Sequence, residues 1–489
     1  MASGKAVRLA RAVSISLSLG AALAGPPALA APGDPLGPAF LVGPTSSTNR
    51  PAVARSASGE FVVVLYNPTS PDSGVKAQRF HADGSTDGAA IAVVAPGTAV
   101  LDLSVAMDGA GDFVVAWTAF NNFATAWARH FPAAGAAAEG FQLDGTSSGE
   151  RSSASPSVAM NADGSFVIAW LRSVDSGVMQ FSLPIPDCLN SFELELSDPA
   201  IVFRRYDTAG AALGQGPGIT EAKPGVGLNS YVCLAQLNVL TVIASQGPYG
   251  LSNLSAPVTA IGPGGNFSIA WAVTDFDGVT VDGLLPLLLS PTHVSILPYS
   301  AGGLPLGVQQ IVGLTLGLNP LSADQAPRIA QGTAGSVLIW DAYTDLSGTQ
   351  PNPIAVKLRS FDNIGLPLQL IADTAVSGEV VYFGGGDYLA DVAATPEGSV
   401  VAWRSTSASG ATESQQINVQ RLDSSGAAAG APIVVATSAL GNPTSASAVV
   451  LGPPSVASDG SGNFAVFWTT INYVASQQVQ TYGRLYSGS

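Results

Sequence analysis

The chain has 489 residues, of which 47% are apolar and only 11% charged, with 55 Gly and 34 Pro. That much apolar character excludes a disordered chain, and a net charge of −15 excludes a nucleic-acid binder or a protein that lies on anionic lipid. Abundant Gly beside short β-branched runs predicts many strands joined by tight turns.

Residues 1–30 read as a secretory signal peptide. Lys5, Arg8 and Arg11 come first, then the apolar "AVSISLSLGAALA" (12–24), then Ala28 and Ala30 before a cut at Ala31. Losing the three cations moves the net charge from −15 to −18. The mature chain is expected to be secreted, periplasmic or cell-surface. No later run is apolar for long enough to span a bilayer, so no membrane insertion is expected.

Next comes a repeated unit, clearest as "PSVAMNADGSFVIAW" (156–170). Its relatives are "PAVARSASGEFVVVLY" (51–66), "LSVAMDGAGDFVVAW" (103–117), "APVTAIGPGGNFSIAW" (256–271), "PRIAQGTAGSVLIW" (327–340), "LADVAATPEGSVVAW" (389–403) and "PSVASDGSGNFAVFW" (454–468). Each predicts a short strand, a Gly-containing turn and a second strand ending in Trp. The first copy has Leu65 in the Trp slot, so the slot is a packing position and not a ligand-stacking one. Both faces of "FVVAW" are apolar, as a strand sandwiched between two neighbouring sheets requires.

A second half follows each copy, as in "VKAQRFHADGSTDGAAIAVV" (75–94) and "INVQRLDSSGAAAGAPIVV" (417–435). It predicts a third strand ending near an Arg, then a turn and a fourth strand. Four antiparallel strands per unit make a propeller blade. After Trp468 the chain supplies only a third strand, while "PLGPAFLVG" (35–43) resembles the turn and fourth strand "GLPLGVQQIVG" (303–313). The expectation is an all-β, seven-bladed β-propeller of four-stranded blades, closed by the N-terminal strand. It forms one domain, 31–489, with insertions at about 174–200 and 220–255. These units resemble a repeat of exported bacterial proteins with P-S-V-A…DG-x-F-V-V-A-W…Q-R-F-D-x-x-G units. The resemblance implies the fold and carries no catalytic residues.

Chemistry has few places to reside. His81, His130 and His293 are the three histidines, and none stands at metal-ligand spacing from another, so no zinc or copper is expected. "GTSSG" (145–149) has the letters of a nucleophile elbow but lies in a Ser-rich loop, where that motif has no meaning. "DFDGVTVDG" (275–283) reads either as a calcium loop, with Asp275, Asp277 and Asp282 as ligands, or as a solvated hairpin. No other cofactor is expected. Cys188 and Cys233 fall in the two insertions, and in an oxidising compartment they read most simply as a disulfide; two free thiols are the alternative.

The turns inside each predicted hairpin are uniformly short on one face, whereas loop length varies on the other. The variable face carries Asp275, Asp277, Asp341, Tyr343, Asp345, Tyr382, Phe383, Asp387 and Tyr388, a set of aromatics and carboxylates suited to sugar faces or cationic groups. Two functions follow. One is a monomeric binding, adhesion or scaffold module that grips an extracellular glycan, peptide or surface protein. The other is a propeller hydrolase or lyase acting on polysaccharide with carboxylates at the central mouth.

Overall fold

The structure is a computed structural model that describes residues 30–45, 50–67, 74–121, 123–134, 136–144, 151–182, 191–215, 225–227, 234–235, 238–239, 251–276, 290–317, 327–333, 335–343, 353–362, 374–375, 380–381, 390–409, 412–441, 449–472 and 478–488. Seven antiparallel sheets form seven blades, as the repeat predicts. Blade 1 runs Ala52–Arg55, Phe61–Asn67, Gly74–Phe80 and Thr86–Val94 from the axis outward. Each inner strand touches the inner strands of both neighbouring blades, and that chain of contacts returns to its start.

The alternation in "FVVAW" explains how the blades adhere. Phe113, Val115 and Trp117 pack toward blade 1, while Val114 and Ala116 pack toward blade 3. The same division recurs around the ring, giving seven apolar clusters, one between each pair of blades. Trp117, Trp170, Trp271, Trp340, Trp403 and Trp468 are all between 0% and 6% exposed. Each indole contributes on the order of 4–6 kcal/mol of gross burial, an upper figure because the unfolded chain already hides part of its surface.

Closure occurs as expected, with a shifted boundary. The fourth strand of blade 7 is Phe40–Thr45, antiparallel to Gln478–Tyr486, so it begins inside the predicted segment 35–43 and runs two residues past it. Pro38, just before the ladder, carries no N–H to donate to it. The likeness of 35–43 to 303–313 is structural too: Pro35 bridges Tyr486 as Pro305 bridges Tyr299. Phe40 packs 6.3 Å from Phe61, 5.9 Å from Phe80 and 6.3 Å from Phe467. Gly483 makes room for it, since a Cβ there would stand 2.5 Å from the Phe467 ring and 2.9 Å from that of Phe40. On the tight-turn side, Arg55 of blade 1 pairs with Asp459 of blade 7 at 3.1 Å, both buried.

One insertion is a continuation of strands. Phe166–Ser182 and Ser191–Tyr206 stay paired from Val174↔Asp198 to Ser182↔Ser191, so 174–200 extends the middle of blade 3 as a hairpin. No proline interrupts the first strand after Trp170, and a bulge between Asp175 and Gly177 absorbs the odd residue. Gly225–Gly227, from the second insertion, adds to the same hairpin against Glu195–Ser197. The two insertions are thus tied by backbone pairing. Cys188 and Cys233 lie outside the described residues, as do the signal segment 1–29 and "GTSSG". Among the described residues no helix is long and apolar enough to cross a membrane.

The fourth position of the repeat motif, the A of P-S-V-A on the inner strand, is Ala in all seven copies: Ala54, Ala106, Ala159, Ala260, Ala330, Ala393 and Ala457. Seven strands converge there, and Ala159 is buried between blades 3 and 4. Ala159→Leu is therefore expected to overpack the ring and cost about 1–3 kcal/mol. A urea melt would show the lowered midpoint, with exposed Ala209→Leu as a neutral control. Equal midpoints would mean the inner ring has slack.

Candidate functional site

The inner strands enclose a central cavity of about 510 Å³. Its lining runs from residues that precede the P-S-V-A repeat motif, such as Arg50 and Ser155, to the third position of that motif, such as Val158 and Val456. Among the described residues none of the tight turns contributes. The cavity therefore occupies the variable-loop end of the channel.

The second position of the repeat motif lines this wall in every copy, and in most copies it is uncharged: Ser104, Ser157, Ser455, Ala52 or Val258. The serines latch blade to blade. Val158 N donates to Ser104 Oγ at 3.1 Å and Thr259 N to Ser157 Oγ at 2.9 Å. Blades 5 and 6 depart from the rule with Arg328 and Asp391.

Asp391 keeps the latch, because its Oδ2 accepts Val456 N at 2.9 Å. Its second oxygen pairs with Arg50 Nη1 at 3.0 Å, and Arg50 Nη2 donates to Ala390 O at 2.9 Å. Arg50 enters blade 1, so it reaches past blade 7 to blade 6 across the mouth. Asp341 follows Trp340 in the second strand of blade 5, Ser336–Tyr343, and is 8% exposed. Its carboxylate accepts a hydrogen bond from Ala390 N. Burial pushes that carboxyl up to about 7, against the opposing pull of Arg50 and Arg328.

Opposite this cluster, Asp102 Oδ1 accepts Thr118 Oγ1 at 2.7 Å and Thr118 N at 3.1 Å, while Ser155 Oγ reaches Oδ2 at 3.2 Å. Burial raises the Asp102 carboxyl as well, and the threonine and serine hydrogen bonds oppose it. Ser155 has φ of 53°, the one left-handed non-glycine among the described residues. Strain of that kind persists where the surroundings hold it, here through Ser155 N donating to Thr118 Oγ1 at 2.8 Å.

Of the residues named from sequence, Asp341 is brought to this mouth, behind the lining. Tyr343 ends the same strand, its backbone opposite Ile354, and Asp275 is paired opposite Ser252; both side chains lie outside the described set. Asp277, Asp282, Asp345, Tyr382, Phe383, Asp387 and Tyr388 lie outside the described residues altogether. Among the described residues no three His, Cys, Asp or Glu side chains gather closely enough to hold a metal ion. Sequence reasoning missed Arg50, Arg328, Asp391 and Asp102. For Arg328 and Asp391 a signal existed: a charge in a repeat position that the other copies fill with Ser, Ala or Val.

Fold and channel together define a seven-bladed β-propeller with a charged mouth. No protein-family profile matches the chain, and no curated protein matches it. Solved structures similar to it include a polysaccharide lyase described as an ulvan lyase, at 8% identity, with 91% of this chain and 94% of that one covered and a TM-score of 0.42. An α-L-arabinofuranosidase from Fusarium graminearum shares 8% identity over 91% of this chain and 96% of that one, with a TM-score of 0.39. A mitotic checkpoint complex structure matches at 11% identity over 96% of this chain and 98% of that one, with a TM-score of 0.38. Likenesses this remote carry nothing about activity.

Proposed function

We propose that the chain is an exported binding module that receives a glycan at the variable-loop end of its central channel, acting as a monomer. The observation that supports this most directly is the place and size of the cavity. About 300–1,000 Å³ is usual for small-ligand sites, and ≈ 510 Å³ falls within that range. Serine hydroxyls and strand-end backbone line it, groups that exchange hydrogen bonds with sugar hydroxyls.

Turnover of a polysaccharide is the second reading, and the carboxyls raised by burial favour it. A hydrolase or lyase needs a carboxylate free to move a proton, however. Asp391 has both oxygens engaged by the protein, and Asp102 accepts three hydrogen bonds. The two lining carboxylates hold the wall, which is why binding is preferred.

Ala52→Trp fills the cavity from the inner strand of blade 1 and provides the test. Glycan-array binding by the wild type is expected to fall at least about tenfold in this variant, the equivalent of about 1.4 kcal/mol, while the fold is retained by circular dichroism. Undiminished binding would move the ligand site elsewhere. Release of new sugar ends that stops in Asp391→Asn would favour the enzyme.

A further inference from the structure

We infer that the channel site selects a ligand bearing a single carboxylate, a uronic or other sugar acid, and holds it on the guanidinium of Arg328. This rests on the channel being the ligand site, and it adds the chemical class.

Two arginines line the cavity, and their circumstances differ. Arg50 is committed to Asp391 and to the Ala390 carbonyl. Arg328 donates from Nη1 to the carbonyl of its own neighbour Pro327 at 2.9 Å. Among the described residues no carboxylate stands within ion-pairing distance of Arg328, although Asp341 is near enough to feel its charge. It occupies the second position of the repeat motif, where three other copies need only a serine to latch to the next blade. An arginine there adds nothing to the latch and places a planar pair of donors in the channel.

The rest of the lining explains what such a group would select. A neutral sugar filling the cavity would bury the guanidinium without a charged partner, and a carboxylate would match it with two parallel N–H···O bonds. Asp391 already neutralises Arg50, so among the described residues of the lining Arg328 is the cation without a matched carboxylate, and a second negative charge on the ligand would find no partner. A monoanion fits this balance better than a phosphate dianion.

Calorimetric titration of the full chain with D-galacturonate, D-galactose and D-galactose 6-phosphate tests the inference, together with Arg328→Met and Arg328→Lys. Galacturonate is expected to bind the wild type at least about tenfold more tightly than galactose, and Arg328→Met should abolish that preference. Arg328→Lys keeps the charge and loses the fork, so it should retain part of the preference; it decides the matter if the Met variant does not fold. Equal affinity for galacturonate and galactose, no galacturonate binding, or a preference that survives Arg328→Met would overturn the inference. Galactose 6-phosphate bound as tightly as galacturonate would overturn it too. In each of these cases, glycan binding that is still lost in Ala52→Trp leaves the channel reading intact, so the two failures are separable.

Discussion

Removal of residues 31–45 is expected to lower the melting midpoint by about 10 °C or more, or to leave the protein insoluble. The segment supplies the outer strand of the last blade, paired with Gln478–Tyr486 from Phe40↔Gly483 to Thr45↔Val479. Its loss would strip hydrogen-bond partners from that strand and expose a sheet edge ready to pair with another chain. Removing the Phe40 ring also opens a cavity among Phe61, Phe80 and Phe467, and deletions of a packed Phe cost about 3–5 kcal/mol. At about 2–4 °C per kcal/mol for large domains, that loss alone approaches the expected shift. Phe40→Ala should give a smaller fall, since it keeps the backbone pairing. A truncated protein that melts like the full chain would show that blades 7 and 1 adhere without the strand.

The fold was readable because it is written seven times. Alternation in "FVVAW" and its relatives names a strand buried on both faces, and the Trp slot identifies packing by tolerating Leu65. The boundary of the closing strand was less readable, since where a ladder begins depends on proline placement and a bulge between Leu41 and Gly43. The hairpin of 174–200 was read as an insertion because its residues match no repeat, yet backbone pairing continues regardless of the motif.

The site was harder to read, for a physical reason. Inner strands from blades far apart in sequence meet only at the axis, so Arg50 and Asp391 become partners across 341 positions. A search for aromatic and acidic residues in long loops found Asp341 but passed over the wall itself. What distinguishes the wall is departure from the repeat. Arg328 and Asp391 replace small residues, and Asp341 stands directly after Trp340, where other copies have residues such as Thr118, Leu171, Ala272 and Thr469. A scan for charges that break an internal repeat would have found all three.

Asp341→Asn should change how stability depends on pH. The Asp341 carboxyl is pushed from its ordinary value of 3.8 up to about 7 by burial, so the folded protein holds a proton that the unfolded chain releases. The resulting stabilisation is fully present below about 3.8, declines as pH rises toward 7, and is gone above it. At 1.36 kcal/mol per pH unit, the full span corresponds to about 4 kcal/mol. Other carboxylates also titrate in this window, so the quantity to measure is the difference between wild type and Asp341→Asn. Asparagine keeps the acceptor for Ala390 N and has no proton to lose. Urea unfolding at pH 4, 5.5, 7 and 8 should show the variant gaining on the wild type by several kcal/mol up to pH 7, then holding steady. A difference that is flat across the range would mean that Arg50 and Arg328 hold the carboxylate ionised in the folded protein. The charge balance at the channel mouth would then be one unit more negative at acidic pH than the burial of Asp341 implies.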